Sequence, residues 1–208
     1  LSLIPALAEA KPKERILLAS YANGSDALIM RATDEVGKLN CGEKLGRYLE
    51  SRKVLTDYQA YLGLRGSSGA KIYNYPTGDL SATSLWRERD QNLRLYGSKC
   101  KVCGMIDHPP QRVCAHCKSV DQYEPIRLTD RRGKIFTYTL DYAISGVDIP
   151  MGIAVIDFDE GGRIISLLTD REVEDVKVGL PVEMTFRKLF QSAGINNYYW
   201  KAMPIRFS

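Results

Sequence analysis

The chain contains 208 residues, of which 44% are hydrophobic and 26% charged, and this composition is typical of globular rather than disordered or fibrous proteins. Apolar runs such as residues 151–156 are too short to span a bilayer, and the first residues lack the basic segment of a secretory signal. We therefore expect a cytoplasmic protein with no membrane partner.

Residues 13–32 have the pattern of two strands joined by a turn. Residues 16–19 and 27–30 are continuously apolar, and the sequence YANGSD between them is rich in turn-forming residues. Uninterrupted apolar strands are typical of strands that are buried on both faces inside a larger sheet. The neighbouring sequence offers no further strands for such a sheet, so we expect a missing partner or a preceding domain to supply them.

Two helices and a linker are predicted between this hairpin and the cysteines. Residues 43–62 place apolar side chains along one helical stripe, namely Leu45, Tyr48, Leu49, Leu55, Tyr58 and Leu62. Residues 66–80 are rich in Gly, Ser and Pro, which predicts a linker or surface loop. A second helix is predicted over about residues 83–96, with Gly97 as its stop and an N-cap at Ser81, Thr83 or Ser84.

Four cysteines form two CxxC pairs, and they are the most informative feature of the sequence. Cys100 and Cys103 form the first pair, and Cys114 and Cys117 form the second. Two such pairs separated by a short loop predict a tetrahedral site that holds zinc or, as in rubredoxin, iron. Four protein ligands leave no open position, so we expect a structural rather than a catalytic metal. Two disulfides are the alternative, disfavoured because nothing in the sequence indicates secretion.

The remainder of the chain has the pattern of short strands. Apolar and polar residues alternate over residues 136–142 and 182–186, whereas residues 151–158 are continuously apolar. The sequence DEGG at residues 159–162 predicts a hairpin turn before a returning strand, and residues 198–205 offer a closing strand. About five short antiparallel strands over such a length predict a small closed barrel of the OB type.

The predicted fold is therefore mixed α+β, with two N-terminal strands of an incomplete sheet, a helical linker region, a four-cysteine zinc ribbon and a small antiparallel barrel. The predicted domains are residues 1–40 for the N-terminal strands, 41–80 for the helix and linker, 81–98 for the second helix, 99–122 for the zinc ribbon and 123–208 for the OB-fold.

The net charge of +4 is concentrated around the cysteines. Residues 81–118 contain seven basic and three acidic residues, so this stretch alone accounts for the whole net charge. A basic metal-binding module is suited to contact phosphates, either of nucleic acid or of a phosphorylated cofactor. An ordinary solvated surface explains the same charges equally well.

The sequence around the cysteines resembles a family once catalogued as a domain of unknown function. The resemblance lies in WRERD at residues 86–90, YGSKCKVCG at 96–104, PPQRVC at 109–114, Cys117, and VGLPVEM at 178–184. Members of that family join an N-terminal helix, a rubredoxin-like zinc ribbon and an OB-fold, and they accompany thiolases and related condensing enzymes that act on acyl-CoA. The resemblance covers about residues 81–206 and implies a role in acyl-CoA binding or in bridging active sites.

The N-terminal hairpin resembles the last two strands of a thiolase-fold condensing enzyme. The likeness lies in RILLASYANGSDALIM at residues 15–30 and points to the hydroxymethylglutaryl-CoA synthase branch. In that branch the turn between the strands borders the active site and positions the acyl thioester, which implies the same place for Asn23, Gly24 and Ser25. A backbone amide of this loop would then serve as an oxyanion donor. Ordinary turn chemistry is the alternative.

The chain lacks the nucleophile that this resemblance requires. Those enzymes use a cysteine, a histidine and an acid upstream of the hairpin, whereas Cys41 follows the hairpin and both His108 and His116 lie near the paired cysteines. We therefore expect no catalysis by this chain alone. The resemblance implies the end of, or an obligate partner to, a thiolase-fold acyl-CoA condensing enzyme within an oligomeric assembly, whether fused upstream or separate.

Three functions remain open from the sequence. The leading one is acyl-CoA condensation with a partner, in which the candidate ligands of the CoA phosphates are Arg87, Arg89, Lys99, Lys101 and Arg112. The second is nucleic-acid binding through stacked aromatic residues, with Tyr138, Tyr142, Tyr198, Tyr199 and Trp200 as candidates. It is disfavoured because the charge outside residues 81–118 is neutral. The third is an assembly module that binds no ligand.

Overall fold

The computed structural model describes residues 3–21, 24–52, 54–55, 57–65, 81–146, 148–192 and 195–206. The chain divides into two compact units, Leu1–Thr56 and Asp57–Ser208. Among the helices in these ranges, none combines the length and the hydrophobicity that a membrane crossing requires.

The first unit contains the predicted hairpin. Its elements are α1 (Leu3–Glu9), β1 (Arg15–Tyr21), β2 (Ser25–Arg31), a 3₁₀ turn at Asp34–Lys38, and α2 (Cys41–Glu50). The two strands pair antiparallel, with Ile16 opposite Met30 and Ala19 opposite Ala27, so the prediction of a hairpin is confirmed.

Several apolar side chains of the hairpin are exposed within this unit, whereas Ile16, Leu18 and Met30 are half-buried. Leu17, Leu28 and Ile29 have exposed fractions of 67%, 57% and 77%. The strands pair with each other in a two-stranded sheet, and an isolated hairpin is at best marginally stable in water. The expected burial on both faces is therefore not met by the described residues of this chain.

The helix predicted over residues 43–62 is wrong as a single element. The first piece, α2, ends at Glu50, and α3 (Tyr58–Arg65) begins after an interruption. The carboxylate of Asp57 accepts hydrogen bonds from the amides of Gln59 and Ala60, at 2.9 Å and 3.2 Å. Asp57 thus caps the start of a separate helix, which the spacing of the apolar residues does not reveal.

The second predicted helix is also shorter than residues 83–96. It consists of α4 (Ala82–Arg87) and α5 (Arg89–Asn92), and the Ser81 side chain caps α4 by accepting a hydrogen bond from the Ser84 amide at 3.3 Å. The chain leaves the helix because Leu95 enters the core, where it is fully buried with a φ of 51°. The Trp200 indole N–H donates to the Leu93 carbonyl at 3.0 Å and fixes this exit.

The cysteine region forms a small three-stranded sheet. Its strands are β3 (Tyr96–Cys100), β4 (Ile106–Asp107) and β5 (Tyr123–Arg127), with β3 in the centre. Ser98 pairs with Asp107 on one side and with Pro125 on the other. This sheet brings the first cysteine pair next to the loop that carries the second.

The last five strands form the predicted antiparallel barrel, which is nearly closed. They are β6 (Arg132–Asp141), β7 (Met151–Phe158), β8 (Arg163–Leu167), β9 (Pro181–Ser192) and β10 (Ile195–Pro204), in the spatial order β10-β9-β6-β7-β8. A parallel bridge between Leu168 and Ala202 closes the gap between the two edge strands. The Thr169 amide supports this bridge by donating to the Ala202 carbonyl at 2.9 Å.

The ribbon and the barrel share one hydrophobic core. Leu95, Ile106 and Leu128 from the ribbon side belong to the same buried cluster as the inward residues of the barrel. Gly162, in the turn between β7 and β8, has a φ of 94°, and a Cβ there would lie 2.9 Å from Cγ2 of Ile106. This close approach shows that the two folds pack as one body.

Candidate metal centre

Each cysteine pair lies on a tight turn held by backbone hydrogen bonds. In the first turn, the Gly104 amide donates to the Cys100 carbonyl at 2.9 Å, and the Cys100 amide donates to the Met105 carbonyl at 2.8 Å. In the second turn, the Lys118 amide donates to the Cys114 carbonyl at 3.1 Å, and the Cys114 amide donates to the Ser119 carbonyl at 3.0 Å. The two turns are equivalent, and each presents two thiols.

The four sulfur atoms form a compact group of metal-ligand dimensions. All four lie within 4.8 Å of one another, and the pairs Cys100–Cys117 and Cys103–Cys114 are each separated by 3.6 Å. Zinc–sulfur bonds of about 2.3 Å place the corners of a regular tetrahedron about 3.8 Å apart. The four cysteines therefore match a closed tetrahedral site, and all four are free thiols rather than disulfides.

The surroundings of the thiols shift their pKa values in different directions. The Ser119 hydroxyl and the Cys103 amide lower the pKa of the Cys100 thiol to about 6, and the Ser119 side chain and amide lower the pKa of the Cys117 thiol. At Cys103 the hydrogen bond from the Met105 amide lowers the pKa, but burial and the neighbouring thiols outweigh it and raise the pKa to about 12. Four thiolates at this separation repel one another, so complete ionisation needs a bound dication.

Ser119 is a part of the centre that the sequence analysis missed. Its hydroxyl oxygen lies 3.3 Å from the Cys100 sulfur and 3.1 Å from the Cys117 sulfur, so it contacts one ligand from each turn. Partners of this kind orient the ligands of a metal and tune its environment. Its place two residues after the second CxxC pair is the sequence signal that would have indicated it.

Neither histidine belongs to the sulfur cluster. The described group of metal-ligating side chains consists of the four cysteines, and His116 is exposed. His108 is half-buried, its Nε2 atom is buried and has no hydrogen-bond partner in the part of the chain that the structure describes, and burial lowers its pKa. The ligand set is therefore all sulfur, which accepts zinc and also iron.

Three of the five candidate CoA-phosphate ligands are engaged with neighbouring residues. The Arg112 guanidinium donates twice to the Asp121 carboxylate, both at 2.7 Å, and the Arg87 guanidinium lies 4.0 Å from the Glu88 carboxylate. The Arg89 guanidinium lies 4.4 Å from the centre of the Trp86 ring. These contacts leave Lys99, which is half-buried on β3, and Lys101, which is exposed in the first turn.

The predicted oxyanion loop lies only partly within the described residues. Asn23 lies outside them, whereas Gly24 and Ser25 lie at the tip of the hairpin. Ser25 is paired with Tyr21, and a Cβ at Gly24 would meet nothing within 4 Å. The described residues therefore leave space around the Gly24 position, and the role of this loop at an active site stays a prediction.

The aromatic residues considered for base stacking are partly used in packing. Trp200 is half-buried and bonded to Leu93, and the Phe186 and Tyr198 rings stack with their centres 5.7 Å apart. Tyr199 is half-buried, and burial raises its pKa. Tyr138 and Tyr142 have exposed fractions of 37% and 66%.

An apolar surface on the outside of the barrel also escaped the sequence analysis. We call it the barrel face, and it consists of outward side chains of β6, β7 and β8, namely Phe136, Ile153, Val155, Ile165 and Leu167. Val155 is paired with Ile165, and Ile153 with Leu167, so these side chains lie in two adjacent cross-strand rows. Ile165 and Phe136 have exposed fractions of 68% and 52%.

Comparison with known proteins identifies the ribbon and the barrel. Residues 87–124 match the family model of the ChsH2 rubredoxin-like zinc ribbon domain, and residues 127–187 match that of the ChsH2 C-terminal OB-fold domain. A DUF35 domain-containing scaffold protein of Methanocaldococcus jannaschii is 31% identical over 137 residues, which cover 63% of this chain and 96% of that protein. Residues 87–187 therefore contain a four-cysteine zinc ribbon followed by an OB-fold.

Two further similarities involve proteins with acyl-CoA or aldolase names. Benzoylsuccinyl-CoA thiolase subunit BbsA of Thauera aromatica is 30% identical over 112 residues, covering 46% of this chain and 76% of BbsA. The solved structure of the Ltp2–ChsH2(DUF35) aldolase aligns with a TM-score of 0.45 and 20% identity, over 62% of this chain and 98% of the matched chain.

Proposed function

This chain belongs to the family of DUF35 domain-containing scaffold proteins, and on that basis we propose that it binds and organises a thiolase-type acyl-CoA condensing enzyme. The similarity to BbsA, which is a thiolase subunit, supports this partner. The closed four-cysteine site agrees with a structural role, because it has no open position at which a substrate could bind. The leading function that we expected from the sequence is thus retained in a coarser form.

The exposed barrel face is the observation that carries this proposal. The solvent side of an antiparallel sheet is normally polar, yet across β7 and β8 it presents two apolar cross-strand rows, which Thr137 and Thr139 border on β6. Its charged pair is internally neutralised, since the Arg163 guanidinium donates to both oxygens of Asp157 and also lies 3.9 Å from the centre of the Phe136 ring. Such a surface suits an uncharged protein partner rather than the phosphate backbone of a nucleic acid.

A charge placed in the barrel face tests the proposal. In Ile165→Asp, a carboxylate must be desolvated when the partner binds. We therefore expect the tagged variant to retain at least about tenfold less thiolase-type enzyme than the tagged wild type does. Val178→Asp is the matched control, because Val178 is 65% exposed and lies outside the strands of the barrel face. Retention is measured by purification from the native cells and quantitative mass spectrometry, with folding checked by circular dichroism and zinc content.

Two results would contradict this function. The first is that the wild-type chain retains no thiolase-fold enzyme. The second is that Ile165→Asp retains as much of this enzyme as Val178→Asp does. If the chain assembles tightly with itself and binds neither CoA nor nucleic acid, the third function, an assembly module that binds no ligand, is favoured instead.

A finer proposal concerns the kind of condensing enzyme. We propose that the β1–β2 hairpin completes the sheet of a hydroxymethylglutaryl-CoA synthase-like domain, either fused or separate. The exposed apolar side chains on this hairpin support that role, because a surrounding sheet would bury them. Asn23, Gly24 and Ser25 would then border the acyl thioester, and Lys99 and Lys101 would contribute positive charge toward CoA. A cytoplasmic location and an oligomeric assembly belong to the same proposal.

A further inference from the structure

We propose that Cys103 is the modification site of the metal centre: it is the ligand that electrophiles and peroxides attack first, and its reaction opens the ribbon. The four ligands are equivalent in the sequence pattern, but the structure makes them unequal in access and in hydrogen bonding. Access separates Cys103 from the other three ligands, and hydrogen bonding separates it from Cys100 and Cys117.

Access is the first difference. Cys103 is exposed and Cys117 is half-buried, whereas Cys100 and Cys114 have exposed fractions of only 4% and 6%. A reagent in solution must reach a sulfur lone pair in line with the bond that breaks. The protein around Cys100 and Cys114 obstructs this approach, whereas the surface turn that carries Cys103 leaves it open.

Hydrogen bonding is the second difference. The Ser119 hydroxyl lies between the sulfurs of Cys100 and Cys117, at 3.3 Å and 3.1 Å. The amides of Val102 and Cys103 also donate to the Cys100 sulfur, and the Ser119 amide donates to the Cys117 sulfur. The Cys103 sulfur accepts a hydrogen bond from the Met105 amide. Donors withdraw electron density from a metal-bound thiolate, so the less hydrogen-bonded sulfur is the better nucleophile.

The chemistry follows from this inequality. With a haloacetamide, the Cys103 sulfur attacks the methylene carbon, a C–S bond forms and the halide leaves. With hydrogen peroxide, the sulfur attacks one oxygen, the O–O bond breaks, and a sulfenic acid and hydroxide result. The Cys114 sulfur, 3.6 Å away, can then displace the sulfenic hydroxyl as hydroxide and form a disulfide.

Loss of Cys103 as a ligand is expected to disturb the packing of the barrel, because the first cysteine turn leads directly into the shared core. Cys103 lies three residues before Ile106, which packs against Gly162 in the core shared by ribbon and barrel. Loss of the first turn therefore loosens the side of the barrel that carries the β7–β8 hairpin. Modification of a single surface sulfur would in this way weaken the scaffold under oxidising conditions.

The order of labelling tests the proposal directly. The zinc-loaded full chain is treated with limiting iodoacetamide, and labelling of each cysteine is followed by peptide mass spectrometry while a chromogenic chelator reports released zinc. We expect Cys103 to be labelled at least about tenfold faster than each of the other three ligands, with zinc release following at the same rate. Cys41, which lies outside the ribbon, provides the reference thiol.

Variants of Ser119 separate hydrogen bonding from access. Ser119→Ala removes the shared hydroxyl, so we expect faster labelling at Cys100 and Cys117 and an unchanged rate at Cys103. Ser119→Thr keeps the hydroxyl and is the control. The proposal is overturned if wild-type Cys100, Cys114 or Cys117 is labelled as early as Cys103, or if zinc release precedes labelling of Cys103. The wild-type order alone decides should Ser119→Ala fail to hold zinc.

Discussion

At the scale of single residues, His108 links the stability of the second unit to pH. Its Nε2 atom is buried and has no hydrogen-bond partner among the described residues, and burial lowers the pKa of the ring below its ordinary value of 6.5. The unfolded chain therefore takes up a proton at a higher pH than the folded chain does. The contribution of His108 to stability is constant above pH 6.5. It becomes unfavourable as the pH falls from 6.5 toward the lowered pKa of the folded state.

The corresponding prediction concerns His108→Gln. Between pH 7.5 and 5.5, we expect the free energy of unfolding of this variant to fall less steeply than that of the wild type. Urea unfolding at both pH values measures the slope. His116→Gln is the control, because His116 is exposed and the acid sensitivity of the cysteine ligands is common to both variants. Equal slopes for His108→Gln and the wild type would contradict the prediction.

Lys101 and Arg112 are predicted to differ in their effect on CoA affinity. Arg112 already donates to both oxygens of Asp121 and lowers the pKa of that carboxyl, so its charge is locally balanced. In the complex with the condensing enzyme, Lys101→Glu should weaken CoA binding several-fold more than Arg112→Glu, as measured by isothermal titration calorimetry. Equal affinities for the two variants would remove Lys101 from the candidate ligands.

At the scale of elements, the cysteine turns are expected to stabilise the barrel as well as the ribbon. Cys100→Ser removes a buried ligand at the end of β3, and the loss of metal-derived folding energy should cost several kcal/mol. Because Ile106 belongs to the shared core, the barrel should also melt at a lower temperature. Calorimetry and zinc analysis measure both effects, with Cys41→Ser as the control. A metal-free Cys100→Ser protein as stable as the wild type would refute this role.

The elements that the sequence predicts correctly are those encoded locally. The hairpin, the cysteine turns and the barrel strands follow from period-two patterns, turn residues and CxxC spacing. The two long helices were wrong because contacts outside the apolar stripe decide their ends: Asp57 caps a new helix, and Leu95 leaves the helix for the core. Ser119 was missed because its contact with Cys100 spans 19 residues of sequence. The barrel face was missed because a continuously apolar strand such as β7 does not show which of its side chains point outward.

At the scale of the whole molecule, the ribbon and the barrel combine a closed metal site with an apolar face on the outside of the barrel. The shared core fixes the ribbon on the barrel, and the barrel face offers an uncharged surface to a partner. Phe136 and Ile165 are 52% and 68% exposed, so burying the remaining surface of each contributes roughly 1–2 kcal/mol, which is part of what a stable interface needs. The central claim is thus that this face binds the thiolase-type enzyme.

Hydroxyl-radical footprinting of the chain, alone and in its purified complex, tests that claim most directly because it reads side-chain exposure residue by residue. The account predicts that oxidation of Phe136 and Ile165 falls at least about fivefold in the complex, as expected for side chains in a desolvated interface. Val178, which is 65% exposed in the free chain, should be oxidised to the same extent in both samples. Unchanged oxidation of Phe136 and Ile165 in a complex that contains the enzyme would contradict it.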